Sequence, residues 1–158
     1  MRITRDQMLM EHAEVAAKRA TCSRQSVGVV IAREGRVLVT GYNGAPAGMP
    51  HCEHKCDCHQ VHRTGVKLQP ESHDPGCGAV KPCEVSVHAE ANALAYAARY
   101  GIRIESAELF TTFSPCLACG QLMINSGLSR VVYGQKHRDT RGLELLQKGL
   151  VRVDCFGK

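Results

Sequence analysis

Two short motifs constrain this chain more than anything else in it. His88-Ala89-Glu90 and Pro115-Cys116-Leu117-Ala118-Cys119 each open a helical run, with a strand between them. An imidazole and two thiols at i and i+3 are the donors of a zinc site with three protein ligands, which keeps a fourth position open. If one ion takes all three, the starts of two helices have to meet. Glu90 is spare as a ligand and stands where an acid could carry a proton. A closed zinc ribbon would leave Glu90 idle and finds no fourth ligand in the two helices.

The runs around these motifs read as alternating elements. Thr4 to Ala20 reads as an amphipathic helix with Thr4 as N-cap and Met8, His12, Val15 and Ala16 facing inward. Val27–Ala32 and Arg36–Gly41 flank Glu34-Gly35 and read as a hairpin. The alanine-rich stretch from His88 to Tyr100 is a helix closed by Gly101 and packed tightly on a sheet. Ala107–Thr112 is a strand. Ser114 and Pro115 suit the N-cap and first position of a helix from Cys116 to about Ser126. Arg130–Gly134 is a strand, Leu143–Lys148 a short helix and Leu150–Val153 a last strand. This order predicts a layered α/β domain with a five-stranded mixed sheet.

Residues 51–83 break the pattern. Cys52, Cys56, Cys58, Cys77 and Cys83 alternate there with His51, His54, His59, His62 and His73, and apolar periodicity is lost. Such a window has no core of its own, and zinc would supply its folding free energy, on the order of 10 kcal/mol in small zinc peptides. The chain is therefore read as one domain, 1–158, carrying a zinc-binding insertion at about 51–83. All nine cysteines favour metal over disulfides, since the count is odd and no export signal precedes them.

Polar residues interrupt the N-terminal stretch, and no apolar run approaches the roughly 18 residues of a membrane span, so the expectation is a cytoplasmic protein without a membrane partner. The net charge of +5 comes without a block of consecutive lysines and arginines. That argues against nucleic acid and is compatible with a small anionic substrate. Gly41-Tyr42-Asn43-Gly44-Ala45-Pro46-Ala47-Gly48 reads as an ordered loop able to pass close to a ligand, with Asn43 offering both donor and acceptor.

At this point the chain resembles the cytidine deaminase fold and, within it, the deoxycytidylate (dCMP) deaminases, over nearly its whole length. The resemblance rests on Thr21-Cys22-Ser23-Arg24, Val27-Gly28, the Gly41–Gly48 loop, Cys83, His88–Ala93 and Ser114–Cys119. It implies a three-layer α/β/α fold and hydrolysis of dCMP to dUMP and ammonia, supplying dUMP for thymidylate synthesis. His88, Cys116 and Cys119 would hold a catalytic zinc that lowers the pKa of water, and Glu90 would protonate the pyrimidine at N3. Asn43 would bind the deoxyribose. Arg24 suits the 5′-phosphate as a planar multi-donor, or is a solvated loop arginine. Tyr133 borders the pyrimidine or packs in the core.

Relatives of this kind carry a structural zinc, and Cys22, Cys52, Cys56 and Cys83 match its cysteines. The insertion here is longer, so Cys58, Cys77 and the histidines compete for the role, and two extra ions would fit. Cys155 reads as a buried apolar residue. The resemblance further implies a homo-oligomer, dimer to hexamer, and dCTP and dTTP as effectors, a nucleotide effector bringing Mg2+. Arg99 is a subunit contact or a surface charge. Rival readings are a deaminase of the same fold acting on 5-substituted dCMP, dCTP or deoxycytidine, and a non-catalytic zinc module that binds nucleotides.

Overall fold

The structure is a computed structural model, and it describes residues 2–22, 25–51 and 85–157. Arg24, Cys52, Cys56, Cys58, Cys77 and Cys83 lie outside the described residues, and with them nearly all of the expected insertion. The described elements are α1 (Arg5–Ala17), β1 (Gly28–Arg33), β2 (Arg36–Tyr42), α2 (Ala89–Tyr100), β3 (Glu108–Phe113), α3 (Leu117–Asn125), β4 (Arg130–Gln135), α4 (Arg141–Lys148) and β5 (Arg152–Cys155).

They build the expected five-stranded mixed sheet, in the order β2-β1-β3-β4-β5. β1 runs antiparallel to both β2 and β3, and β3, β4 and β5 run parallel. The β1–β2 hairpin turns on Glu34 and Gly35, both at positive φ, the backbone a two-residue hairpin requires. β1 is apolar without alternation because it is covered on both faces. Val30 and Ala32 meet Phe110, Val132 and α1, whereas Val29 and Ile31 meet Leu109, Val131 and the helices on the other side. The result is the three-layer α/β/α arrangement.

Helix α1 presents a different face from the one its periodicity suggested. Leu9, Met10, Ala13 and Ala17 are buried, whereas Val15 is 62% exposed and His12 lies at the surface. Apolar residues occur all round this helix, so spacing alone could not select a side. Close approach did: a Cβ on Gly28 would stand 1.9 Å from the Ala13 carbonyl oxygen, so Gly28 and the small residues of α1 let helix and strand touch backbone to backbone.

Helix α3 starts later than expected. Cys116, with φ −73° and ψ 171°, occupies the N-cap position, and Ser114 and Pro115 lie before the helix. Ser114 is occupied elsewhere: its Oγ accepts the His137 N–H at 2.8 Å, and its own N–H donates to the Gln135 carbonyl at 2.8 Å. On α2, Gly101 at φ 64° closes the helix as the sequence suggested. Among the described residues, no helix is long and apolar enough to cross a membrane.

Candidate active site

His88 is to α2 what Cys116 is to α3. Each is the extended N-cap residue of its helix, and neither uses its side chain to cap it. The side chains turn to one another instead. His88 Nδ1 lies 3.5 Å from Cys116 Sγ and 3.5 Å from Cys119 Sγ, and all three donor atoms lie within 4.8 Å of one another. Zinc bonds of about 2.3 Å to sulfur and 2.0 Å to nitrogen, at the tetrahedral angle, would put sulfur and nitrogen roughly 3.5 Å apart. The donor set fits that ion. Two helix N-termini also converge here, and their partial positive charge favours thiolate.

The electrostatics follow from this crowding. Hydrogen bonding with Cys119, and then with His88, holds the Cys116 thiol at about 3, far below the ordinary thiol range. Cys119 is pushed up because it keeps the proton the pair shares and is buried. The hydrogen bond to Cys116 raises His88. Glu90, in the first turn of α2, is 4% exposed, and burial raises its carboxyl above the usual range. A buried carboxyl with a raised pKa beside three candidate metal donors has the character expected of a functional-site acid.

His88, Glu90 and Cys116 line a cavity of about 290 Å³. His88, Ala89, Glu90 and Cys116 form one wall; Cys22, Gln25, Val27, Asn43 and Ser86 form another; Phe113, Ser114 and His137 complete it. Asn43 reaches the cavity as the sequence suggested, but most of its amide is engaged in structure. Its Oδ1 accepts the Val27 N–H at 2.8 Å, and its Nδ2 donates to the Gln25 carbonyl at 2.8 Å. One N–H and one lone pair remain for a ligand. The backbone around Asn43 is equally tied: Gly44 and Val87 exchange both hydrogen bonds, and Asn92 Nδ2 donates to the Tyr42 carbonyl at 2.9 Å. The glycine loop is thereby joined to the segment that delivers His88.

Tyr133 is half-buried in β4, opposite Thr111 and Cys155, and does not line the cavity. Arg99 is exposed at the end of α2, its guanidinium 5.5 Å from the Tyr100 ring centroid. Cys155 is half-buried in β5. Cys22 is buried on the cavity wall. Sequence reasoning missed Phe113, Ser114, His137 and Ser86 as lining residues. The available signal was topological, because ligands gather outside the carboxyl ends of parallel strands, where Phe113, Ser114 and His137 stand. Among the described residues, Ser86 Oγ is buried without a hydrogen-bond partner.

Residues 3–135 match the family model described as the cytidine and deoxycytidylate deaminase zinc-binding region. The chain is 42% identical over 128 residues to the deoxycytidylate deaminase of Mycobacterium phage D29, covering 81% of this chain and 92% of that one. It is 31% identical over 138 residues to ComE operon protein 2 of Bacillus subtilis, covering 87% of this chain but only 62% of that protein's length. Among solved structures it is similar to the dCMP deaminase of cyanophage S-TIM5 in complex with dCMP and dUMP, with a TM-score of 0.75, 29% identity and 99% of each chain covered.

Proposed function

The chain belongs to the cytidine and deoxycytidylate deaminase zinc-binding family, and from that premise we propose that it hydrolyses dCMP to dUMP and ammonia, acting on the cytoplasmic nucleotide pool. The observation that carries this reading is the grouping of His88, Cys116 and Cys119 beside buried Glu90, with His88, Glu90 and Cys116 lining one cavity of about 290 Å³. His88 Nδ1 and the two sulfurs would hold zinc, which when bound activates water for attack.

The remaining work falls to the chain's own groups. The cavity presents the pyrimidine C4 to the attacking water. The Glu90 carboxylate takes a proton from that water and passes it to N3 as the C4–O bond forms, then takes the proton of the new C4 hydroxyl and gives it to the exocyclic amine, so that the C4–N bond breaks, C4=O forms and ammonia departs. Burial favours the protonated form of Glu90, which suits the donor half of this cycle. Asn43 holds the wall at Gln25 and Val27 and offers its remaining N–H to the sugar. The resemblance to phage deaminases of this specificity supports dCMP over the free nucleoside.

Three finer assignments accompany this reading. Cys22, Cys52, Cys56 and Cys83 would hold a structural zinc within a single domain, Arg24 would contribute to the phosphate, and a homo-oligomer would respond to dCTP and dTTP with Mg2+. The decisive experiment is a panel of dCMP, 5-substituted dCMP, dCTP and deoxycytidine, with and without dCTP and dTTP as effectors, run alongside Glu90→Ala. The wild type should release dUMP from dCMP. The variant should lose at least about 10²–10⁴-fold in rate while keeping its zinc. Full activity in the variant would refute the mechanism, and turnover of deoxycytidine with inert dCMP would refute the substrate.

A further inference from the structure

Among the described residues, Ser86 Oγ is the only buried side-chain nitrogen or oxygen without a hydrogen-bond partner, and it belongs to a residue of the cavity wall. Its polar neighbours on that wall are engaged. Asn43 accepts from Val27 and donates to Gln25, and the Ser114 hydroxyl accepts the His137 N–H. Folded chains satisfy nearly all such groups, because a buried hydroxyl left alone has lost its bonds to water and gained none in return. An exception on the wall of this cavity points to a partner that is not part of the chain.

The position of Ser86 follows from the backbone that leads into α2. Val87 forms an antiparallel bridge with Gly44, exchanging both hydrogen bonds, and His88 continues in extended backbone with φ −67° and ψ 149°. Extended residues alternate sides, so Ser86 and His88 share the face opposite Val87 and stand about 7 Å apart along the chain. Both line the cavity, as does Asn43, the neighbour of Gly44. Ser86 therefore sits one pleat repeat from the donor triad on a shared wall. In a pyrimidine nucleotide the ring nitrogen that carries the sugar lies directly across the ring from C4. With C4 held at the triad, the deoxyribose falls a ring's width away, where Ser86 and Asn43 stand.

We propose that Ser86 is a substrate-positioning residue whose hydroxyl bonds the 3′-hydroxyl of the deoxyribose, completing a sugar site that it shares with Asn43. This rests on the deaminase reading above. A serine hydroxyl carries one donor and two acceptor positions, so it can meet a sugar hydroxyl in either sense. The residue as a whole is half-buried, and a turn about χ1 to another staggered rotamer carries its oxygen from the buried position into the cavity. Asn43 has one N–H left and serves one sugar oxygen. A second contact from a different segment fixes the rotation of the sugar about the glycosidic bond, and with it the angle at which C4 meets the attacking water.

The test is Ser86→Ala, with Ser86→Thr as the variant that keeps the hydroxyl, each as zinc-loaded protein. Calorimetry compares dUMP with 2′,3′-dideoxyuridine monophosphate, which lacks the 3′-hydroxyl, and dCMP turnover gives KM and kcat. Ser86→Ala should bind dUMP roughly 3–10-fold more weakly and bind the dideoxy nucleotide as wild type does, with KM for dCMP raised by a similar factor. Ser86→Thr should recover most of that loss. Without nucleotide, the thermal midpoint of Ser86→Ala should stand at or above that of wild type, because alanine removes an unsatisfied oxygen. Unchanged dUMP affinity would overturn the proposal, and so would an equal loss for both nucleotides, which marks a merely structural effect. A lowered midpoint would overturn it as well, since it reveals a partner for the hydroxyl within the chain. Wild-type protein that binds dUMP but leaves dCMP intact refutes the deaminase reading alone, and the comparison of the two nucleotides still judges Ser86. Binding of neither nucleotide overturns both.

Discussion

At the scale of residues, the site crowds together groups whose charges a cation would reconcile. Cys116 ionises far below an ordinary thiol while Cys119, one helical turn on, retains its proton. A divalent cation held by Cys116 and Cys119 would replace that shared proton and take both sulfurs as thiolates. Glu90 bears the opposite strain. Its pKa is raised on folding, so its contribution to stability is intact below the ordinary carboxylate range and is lost as pH rises through the raised value. Glu90→Gln should therefore stabilise the metal-free protein at pH 8 by about 0.5–2 kcal/mol and leave it little changed at pH 4, as measured by urea midpoints. Equal effects at both pH values would show that burial does not penalise the charge. The residue identities of this centre were readable because His-x-Glu and Cys-x-x-Cys spacings are local. The use of Nδ1 rather than Nε2 was not, since it depends on where α3 brings its sulfurs.

Elements fix how closely those residues meet. A Cβ added to Gly41 would stand 2.6 Å from the Ala89 carbonyl oxygen, in the first turn of α2. A Cβ on Gly142 would come within 2.7 Å of the Cys116 carbonyl oxygen. β2 and α4 thus press directly on the two helix starts that present His88 and Cys116. Gly41→Ala should cost about 1–3 kcal/mol through overpacking and weaken zinc retention, because α2 must shift outward. Denaturant melts and zinc content read the two effects, and a destabilised variant with undiminished zinc affinity would separate the packing from the site. Helix existence and sheet composition were legible from periodicity and turn residues. The inward face of α1 and the true start of α3 were not. The first was settled by a backbone contact at Gly28, and the second by a hydroxyl of Ser114 recruited to a distant loop.

For the whole molecule, a zinc ion at His88, Cys116 and Cys119 would couple parts that are far apart in sequence. α2 and α3 lie on one face of the sheet, and their starts share a site that only the folded chain assembles. Anything that binds the folded state alone stabilises it by mass action. Removing zinc with a chelator should lower stability by roughly 4 kcal/mol where the free ion had stood at about 1,000 times its dissociation constant, read as a drop in thermal midpoint that added zinc reverses. A midpoint indifferent to chelation would deny the ion its structural role. Metal analysis of the untreated protein adds a second reading. More than one zinc per chain is expected if Cys22 and the cysteines of the insertion hold another, and a single zinc would remove that site.

What the sequence determined by itself was the His88, Cys116 and Cys119 group, the acid beside it and the alternation of strands and helices, because each is written in spacings of a few residues. The tertiary structure decided the rest. It brought His137 to the lining of the cavity, left Tyr133 in the strand, and drew Asn43 into holding the wall as well as lining the cavity. Those outcomes depend on which strand ends lie side by side and how closely backbones approach. Such relations arise between segments far apart in the chain, and no local pattern of residues contains them.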